Sequence, residues 1–198
     1  MTTRILAAVL AVAGMLSLAA CTSNPVQPVP QPAGSAGATI APSTDPVLEP
    51  TPTPTPTGPT SFPVTLTCEQ LVTSDQLYAF NSNYSATPDY APVAGTDPAT
   101  IAALQGVACS WVNQSSGDTI EIAVAHLAPA DIENLKNQLV LSTPSVPTYG
   151  GVDYFVNDGT LGEANVFSNE YWIVARSVEF FEPGDAVGLI QAVKTNLG

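Results

Sequence analysis

Residues 22–61 limit where this chain can build a folded core. Proline, threonine, serine, glycine and alanine dominate this segment, which contains no aromatic residue and ends in the run EPTPTPTPTGPTS. Such a composition cannot bury enough apolar surface to offset the entropy lost on ordering, and alternating Thr-Pro favours extended polyproline II. We therefore predict a disordered tether over residues 21–61 and one folded domain over residues 62–198.

The first 20 residues have the layout of a secretory signal peptide. Arg4 is the only charged residue among them, and an uncharged apolar run and two small residues follow it. The run is too short for a comfortable membrane span, since a spanning helix needs about 20 apolar residues. We expect export of the chain. A retained signal anchor is the alternative, disfavoured because nothing basic follows the run to stop transfer.

The four residues that end this segment, Leu18, Ala19, Ala20 and Cys21, resemble the bacterial lipobox. In that motif the cysteine thiol receives a diacylglycerol and becomes the mature N-terminus. Lipidation at Cys21, with palmitate as an expected acyl chain, would satisfy the two-signal requirement for stable anchoring. The resemblance implies a lipoprotein held by its lipid at the extracytoplasmic face of the cell membrane.

The chain has three cysteines, Cys21, Cys68 and Cys109. Outside the cytoplasm thiols are not kept reduced, so cysteine pairs are expected to form disulfides. If Cys21 carries lipid, Cys68 and Cys109 are the only pair left, and closing their loop of about 40 residues would contribute roughly 3 to 4 kcal/mol. A two-cysteine metal site is the alternative, but His126 is the only histidine and no CxxC occurs. We expect no metal and no cofactor.

The charge balance bears on partners. The formal net charge is −13, and removal of Arg4 with the signal peptide leaves −14. Such a surface repels nucleic acid and anionic lipid headgroups, so we exclude both as partners, and contact with the membrane is expected through the lipid on Cys21. Solubility accounts for the acidic balance, and attraction of cationic ligands or divalent ions is the alternative.

Two short helices are predicted at the start of the domain. Thr67 is the expected cap of the first helix, because Gln70 follows three residues later as in a capping box. Ser74 is predicted to start the second helix. The expected buried side of the second helix consists of Leu77, Tyr78 and Phe80. Residues 81–95 are predicted to be a loop.

A third helix follows this loop. Asp97 is the predicted N-cap, Pro98 the first helical position and Gly106 the stop. Residues 106–127 then alternate as a β-hairpin with a turn at Ser115–Asp118, and Pro129–Leu139 has helical spacing.

The hairpin-then-helix pattern occurs a second time. After a predicted loop at residues 142–151, residues 152–180 contain three strands with turns at Asn157–Gly159 and Ser168–Asn169, and a closing helix carries Ala186, Ile190, Val193 and Leu197 on one side. The segment Tyr171–Val174 is apolar on both faces, which predicts a central strand. We predict an α+β fold in which a mainly antiparallel sheet is packed with helices as two hairpin-then-helix units.

Several motifs together resemble a known group of proteins. They are the lipobox, the Pro/Thr-rich segment, TCEQLVTSDQL, GVACSWVNQSSGDTIEIAV and GEANVFSNEYWIVARS. The chain looks like the small, mostly uncharacterised lipoproteins of actinobacterial envelopes, which are similar to the extracytoplasmic sensor domains of certain mycobacterial Ser/Thr kinases. The resemblance implies a Cys68–Cys109 disulfide and helices packed on an antiparallel sheet. The sensor domains carry a second disulfide that this chain lacks.

No catalytic constellation is visible in the sequence. His126 ends a predicted strand, where a structural role is favoured over that of a catalytic base. The acidic residues of the domain are scattered through turns and helix starts, where capping and solvation account for them, and no spacing singles out a pair. Residues 153–163 contain oxygen ligands and glycines, but without calcium-loop spacing, so a hairpin turn is predicted there.

The remaining candidates are aromatic and cationic. Tyr84 and Tyr90 lie in the predicted loop and are candidate exposed ligand contacts, since loops carry recognition more often than cores do. The two tryptophans, Trp111 and Trp172, are assigned to the core.

Arg176 is the one arginine left after removal of the signal peptide. It is either an anion anchor in a cleft or an ion-pair partner of Glu179 or Glu121, and the ion pair is favoured.

These observations favour a non-enzymatic, lipid-anchored envelope lipoprotein whose domain binds a ligand or a protein partner outside the membrane. A cell-envelope hydrolase with paired carboxylates is an alternative. An accessory subunit of an envelope transporter or enzyme complex is another, and a broad exposed apolar patch would favour it.

Overall fold

The computed structural model describes residues 58–198. The predicted signal peptide, the lipidation site Cys21 and the predicted tether up to residue 57 lie outside the described residues. The first strand begins at Ser61, and the Thr60 carbonyl accepts a hydrogen bond from the backbone N–H of Ala128 at 3.0 Å.

Eight strands form one antiparallel sheet within the described residues. They are β1 (Ser61–Phe62), β2 (Tyr84–Ala86), β3 (Val107–Asn113), β4 (Thr119–Leu127), β5 (Ser145–Val146), β6 (Asp153–Asn157), β7 (Gly162–Ser168) and β8 (Tyr171–Ser177). Their order is β2-β3-β4-β8-β7-β6-β5, and β1 pairs with the end of β4 beyond the residues that β3 occupies. The sheet and its helices confirm the α+β prediction.

Five α-helices accompany the sheet in this part of the chain. They are α1 (Cys68–Leu71), α2 (Ser74–Phe80), α3 (Asp97–Ala103), α4 (Pro129–Leu139) and α5 (Val187–Leu197), and a 3₁₀ turn at Pro183–Ala186 leads into α5. The units β3-β4-α4 and β6-β7-β8-α5 are the two predicted hairpin-then-helix units. No helix of residues 58–198 is both long and apolar enough to cross a membrane.

The two faces of the sheet are covered by different helices. We call the face beneath α1, α2 and α5 the first face; it holds the larger core, to which Ile122 and Ile173 belong. The second face lies beneath α3 and α4, whose Ile101 and Ile132 pack against Trp172. Side chains alternate between faces along each strand, so β8, which lies between β4 and β7, is buried on both, as predicted.

The Cys68–Cys109 disulfide is present and ties the start of α1 to the centre of β3. The two Cα atoms are 5.6 Å apart, and the cysteines are separated by 41 positions in the sequence. Cys109 is fully buried on the first face. The bridge therefore fixes the first helix to the core of the sheet.

The helix starts are set by threonine caps. Thr67 and Thr73 each form a complete capping box with a glutamine three residues later, which confirms the first predicted cap and places the second cap before Ser74. The predicted cap of α3 is wrong by one residue. Thr96, not Asp97, accepts a hydrogen bond from the Ala99 N–H at 3.4 Å, because its hydroxyl lies at the correct distance from the first turn.

Three local predictions are corrected by pairing and packing. Tyr78 is 72% exposed rather than buried, because its side chain lies about 100° around α2 from that of Leu77, which faces the core. The predicted loop at residues 81–95 contains β2, and the predicted loop at residues 142–151 contains β5. Both are short strands at the two ends of the sheet, formed by pairing with β3 and β6.

Candidate functional site

Three charged side chains stand directly opposite one another on the second face. Arg176 of β8 is flanked in register by Glu121 of β4 and Glu163 of β7. The Arg176 Nε atom is 3.5 Å from Glu121 Oε2 and 3.6 Å from Glu163 Oε2, and all three side chains are only 16–19% exposed. We call these three residues the polar row. Its ion pairs are well shielded from solvent and are therefore weakly screened.

The polar row settles the expected partners of Arg176. The ion pair with Glu121 is confirmed, whereas Glu179 accepts a hydrogen bond from Asn113 Nδ2 at 3.2 Å instead. Sequence reasoning missed Glu163 as the second partner. The Arg176 Nε atom is buried and makes no hydrogen bond within residues 58–198, so its attachment to both carboxylates is electrostatic.

Glu163 of the polar row has a perturbed pKa. Burial, together with the nearby charge of Asp97, raises the pKa of Glu163 to about 7 although Arg176 opposes the shift. Asn165 Nδ2 donates to Glu163 Oε1 at 3.2 Å. When it is protonated, Glu163 can donate a hydrogen bond to the Asp97 carboxylate.

A groove of about 440 Å³ runs between α3 and α4 on the second face, and we call it the α3–α4 groove. Trp172 and Leu127 form its floor, and Leu104 and Leu135 contribute apolar walls. The other lining residues are Pro59, Asp97, Thr100, Asp131, Asn134 and Gln138. The groove thus combines an apolar floor with polar groups, including two carboxylates.

The α3–α4 groove and the polar row are connected. Trp172 Nε1 donates to Asn165 Oδ1 at 2.7 Å, and Asn165 in turn donates to Glu163. Asp97 completes the connection from the other side, because it lines the groove and also interacts with Glu163. Binding in the groove can therefore influence the protonation of Glu163.

Tyr90 and Tyr84 differ from the expectation of exposed contacts. The Tyr90 ring is partly buried, and its hydroxyl is enclosed near Glu121 without a hydrogen-bond partner in the described residues. Tyr84 is only 7% exposed, because β2 pairs with β3 and turns the ring into the first-face core, 6.2 Å from Phe80 between ring centroids. Burial raises the pKa of both phenols. The expected exposure of Tyr84 is wrong.

His126 is placed among aromatic rings near the C-terminal end of β4. Its ring centroid is 4.9 Å from that of Phe62 and 4.8 Å from that of Tyr171. Its Nε2 atom is 3.1 Å from Glu170 Oε2. These contacts supply packing and a polar partner for the ring, and the structural role of His126 stays a prediction.

The loop weighed as a calcium site is a hairpin turn. Asp158 Oδ1 accepts hydrogen bonds from the backbone N–H groups of Thr160 and Leu161 and from the Thr160 hydroxyl. These bonds lower the pKa of Asp158 to about 2. Gly159 has φ +91°, a conformation that glycine adopts readily. Among residues 58–198 no group of three histidine, cysteine or acidic side chains is arranged to hold a metal ion.

Two further grooves lie on the side of the first face. One, of about 340 Å³, lies beside the disulfide and is lined by Tyr78, Tyr84 and Trp111. The other, of about 330 Å³, is a shallow depression between α2 and α5. Of these three grooves, the α3–α4 groove is the one lined by Asp97, which interacts with Glu163, so we take it as the candidate site.

Sequence reasoning did not bring Asp97 and Glu163 together. They come from α3 and β7, and they meet because α3 packs across the second face. One signal was available. Glu163 and Asn165 alternate with Ala164 and Val166 in β7, which places both polar residues on one face of the strand, and only the tertiary packing shows that Asn165 on this face is buried.

No protein-family model, curated protein or solved structure matches this chain. The candidate site consequently rests on the geometry of the chain itself. The resemblance to actinobacterial envelope lipoproteins stays a prediction.

Proposed function

We propose that the protein is a lipid-anchored envelope lipoprotein whose domain binds a small ligand in the α3–α4 groove, outside the membrane. Cys21 is the proposed anchor, and residues 22–57 are the proposed tether. The lipobox resemblance, the composition of the segment and the acidic charge support this location. Contact with the membrane is through the lipid alone, and nucleic acid is not a partner.

The observation that carries the binding proposal is the construction of the groove. Its volume of about 440 Å³ falls within the roughly 300–1,000 Å³ of small-molecule sites. Such sites combine a mostly apolar lining with a few placed polar groups, and here the indole of Trp172 and the carboxylate of Asp97 supply the two kinds of contact. A binding role needs no catalytic residue.

Native mass spectrometry of the full chain, purified from its own membrane, tests both parts of this proposal. We expect a diacylglyceryl group on Cys21 and a retained small molecule. Thr100→Trp places an indole in the groove and should abolish retention without affecting lipidation. Ala102→Trp is the matched control, because Ala102 is exposed on α3 and does not line the groove.

Each part of the proposal can fail separately. An unmodified Cys21 in the mature chain would overturn the anchor. A chain that carries no small molecule, or that retains it equally in both tryptophan variants, would overturn binding in the α3–α4 groove.

Hydrolysis is a second candidate, favoured by the contact of Asp97 with Glu163. A carboxyl group with a pKa of about 7 is suited to general acid catalysis near neutral pH. Turnover of dye-labelled cell-wall glycan by the full chain, lost in both Asp97→Asn and Glu163→Gln, would support it. Absence of turnover by the native chain would contradict it.

A further inference from the structure

The charged side chains that line the α3–α4 groove are all negative. Two carboxylates, Asp97 and Asp131, lie among its lining residues, and no basic side chain does. Asp131 Oδ2 accepts a hydrogen bond from the Thr60 backbone N–H at 2.9 Å. Part of the hydrogen-bonding capacity of this carboxylate is therefore used within the domain. Asp97 is therefore the carboxylate better placed to meet a ligand.

The basic side chains of residues 58–198 are all engaged elsewhere. Arg176 lies between Glu121 and Glu163 in the polar row. Lys136 is 2.9 Å from Glu133 and lies over the Phe167 ring, and Lys194 donates to the Tyr149 carbonyl at 2.8 Å. No described cation is in place to neutralise the groove, so a positively charged ligand is the complement that it lacks.

The apolar floor constrains the rest of that ligand. Trp172 is 3% exposed and Leu127 is 2% exposed, so only a small part of each reaches the groove surface. Leu104 and Leu135 extend the apolar area along the two helices. A ligand that fits must bring apolar surface to the floor and a charge to the rim.

We propose that the α3–α4 groove binds a small amphiphilic amine, with the protonated nitrogen at Asp97 and the apolar body over Trp172. This inference rests on the proposed binding function and names its ligand class. A carboxylate paired with an ammonium group forms a charge-assisted hydrogen bond, which is about twice as strong as a neutral one. The overall negative charge of the chain adds long-range attraction for the same ligand.

The polar row gives this proposal an independent signature. Asp97 from α3 and Arg176 from β8 face Glu163, together with Asn165 of its own strand, while Glu121 faces the opposite side of Arg176. A cation bound at Asp97 lowers the pKa of Glu163, so Glu163 releases a proton when the amine binds. Proton release should be largest near pH 6 and disappear at high pH, where Glu163 is already ionised.

Three probes of equal chain length test the proposal on the full chain: octylammonium, octanol and octanoate. Isothermal titration calorimetry should show octylammonium binding about tenfold or more tightly than octanol, the ratio expected for one charged hydrogen bond, and octanoate binding least. Titration in buffers of different ionisation enthalpy should show proton release with octylammonium alone. Equal affinity for octanol or octanoate would overturn the amine assignment.

Variants separate the site from the general charge of the chain. Asp97→Asn should reduce octylammonium affinity about tenfold, and Glu163→Gln should abolish proton release. Glu133→Gln removes one charge from α4 outside the groove and should change neither. Equal losses in Asp97→Asn and Glu133→Gln would overturn the proposal, because they would show that only the overall charge matters.

Failure of the amine assignment is distinguishable from failure of the proposed function. If the chain purified from its membrane retains a small molecule that Thr100→Trp loses, but binds none of the three probes, the groove is a binding site and the amine assignment is wrong. If the chain retains nothing and binds none of the probes, the binding function itself is wrong.

Discussion

Trp172 donates its indole N–H to Asn165 Oδ1 over 2.7 Å, and both side chains are almost fully buried beneath the α3–α4 groove. The bond fixes the ring that forms the floor. It also links that ring to Glu163, because the Asn165 amide donates to the Glu163 carboxyl group. The position of one tryptophan and the environment of one acid thus depend on the same asparagine.

Asn165→Ala should destabilise the domain, because the buried indole N–H loses its acceptor. Leaving a buried donor unpaired costs about 1–3 kcal/mol, which urea unfolding monitored by circular dichroism measures as a lower free energy of unfolding. In a Trp172→Phe background, which has no indole N–H, the same substitution should cost less. An equal cost in both backgrounds would contradict the assigned role of the bond.

Glu163→Gln should flatten the pH dependence of stability. The pKa of Glu163 is raised from 4.5 to about 7 in the folded state, so its protonated form stabilises the fold fully below pH 4.5, and that contribution is lost as pH rises to 7 and above. The loss amounts to about 3 kcal/mol between those limits. Chemical unfolding of both chains from pH 4.5 to pH 8 measures it.

Glu133→Gln is the control for that series, because Glu133 is 67% exposed on α4 and does not belong to the polar row. In this variant the free energy of unfolding should depend on pH as it does in the native chain. A Glu163→Gln variant with an unchanged pH dependence would show that the free energy of the folded state does not depend on this proton.

Removal of the disulfide should lower the free energy of unfolding by about 3–4 kcal/mol. The Cys68–Cys109 bridge closes a loop of 41 positions, and opening it restores conformational entropy to the unfolded chain. Calorimetry of a Cys68→Ser/Cys109→Ser double variant should show a midpoint lower by roughly 10 °C. An unchanged midpoint, or one that responds to reductant in the double variant, would contradict this account.

Gly106→Ala should displace α3 from the second face. A Cβ atom at this position would meet the Val124 carbonyl oxygen of β4 and the Ile101 side chain of α3. Overpacking of this kind costs about 1–3 kcal/mol, which thermal unfolding measures. Gly184→Ala is the control, since its nearest neighbour would be Glu182 Oε1 at 3.6 Å. Equal stability of the two variants would contradict the tight contact of α3 with the sheet.

The parts of the fold that depend on local chemistry were predictable from the sequence. Alternation of apolar and polar residues indicated β3 and β4, and a proline followed by apolar residues at helical spacing indicated α4. The run at residues 171–174, which is apolar on both faces, correctly indicated a central strand. The strands that were missed, β1, β2 and β5, have two, three and two residues. They are too short to show a period and form only because a neighbouring strand accepts them.

The candidate site depends on contacts that no local pattern contains. Asp97 reaches Glu163 only because α3 crosses the second face, and Tyr84 is buried only because β2 pairs with β3. Glu121 could be named as a partner of Arg176, since neighbouring strands were expected to supply a carboxylate. Glu163, the second partner, could not be named in advance, because it depends on the strand order that places β7 on the other side of β8.

The central claim is that a small amine binds over Trp172, and the indole N–H signals test it most directly. The chain has two tryptophans, so a nitrogen–proton correlation spectrum of the ¹⁵N-labelled full chain contains two indole signals, which Trp172→Phe assigns. Titration with octylammonium should shift the Trp172 signal and leave that of Trp111, beside the disulfide, in place. A shift of the Trp111 signal alone, or of neither signal, would contradict the claim.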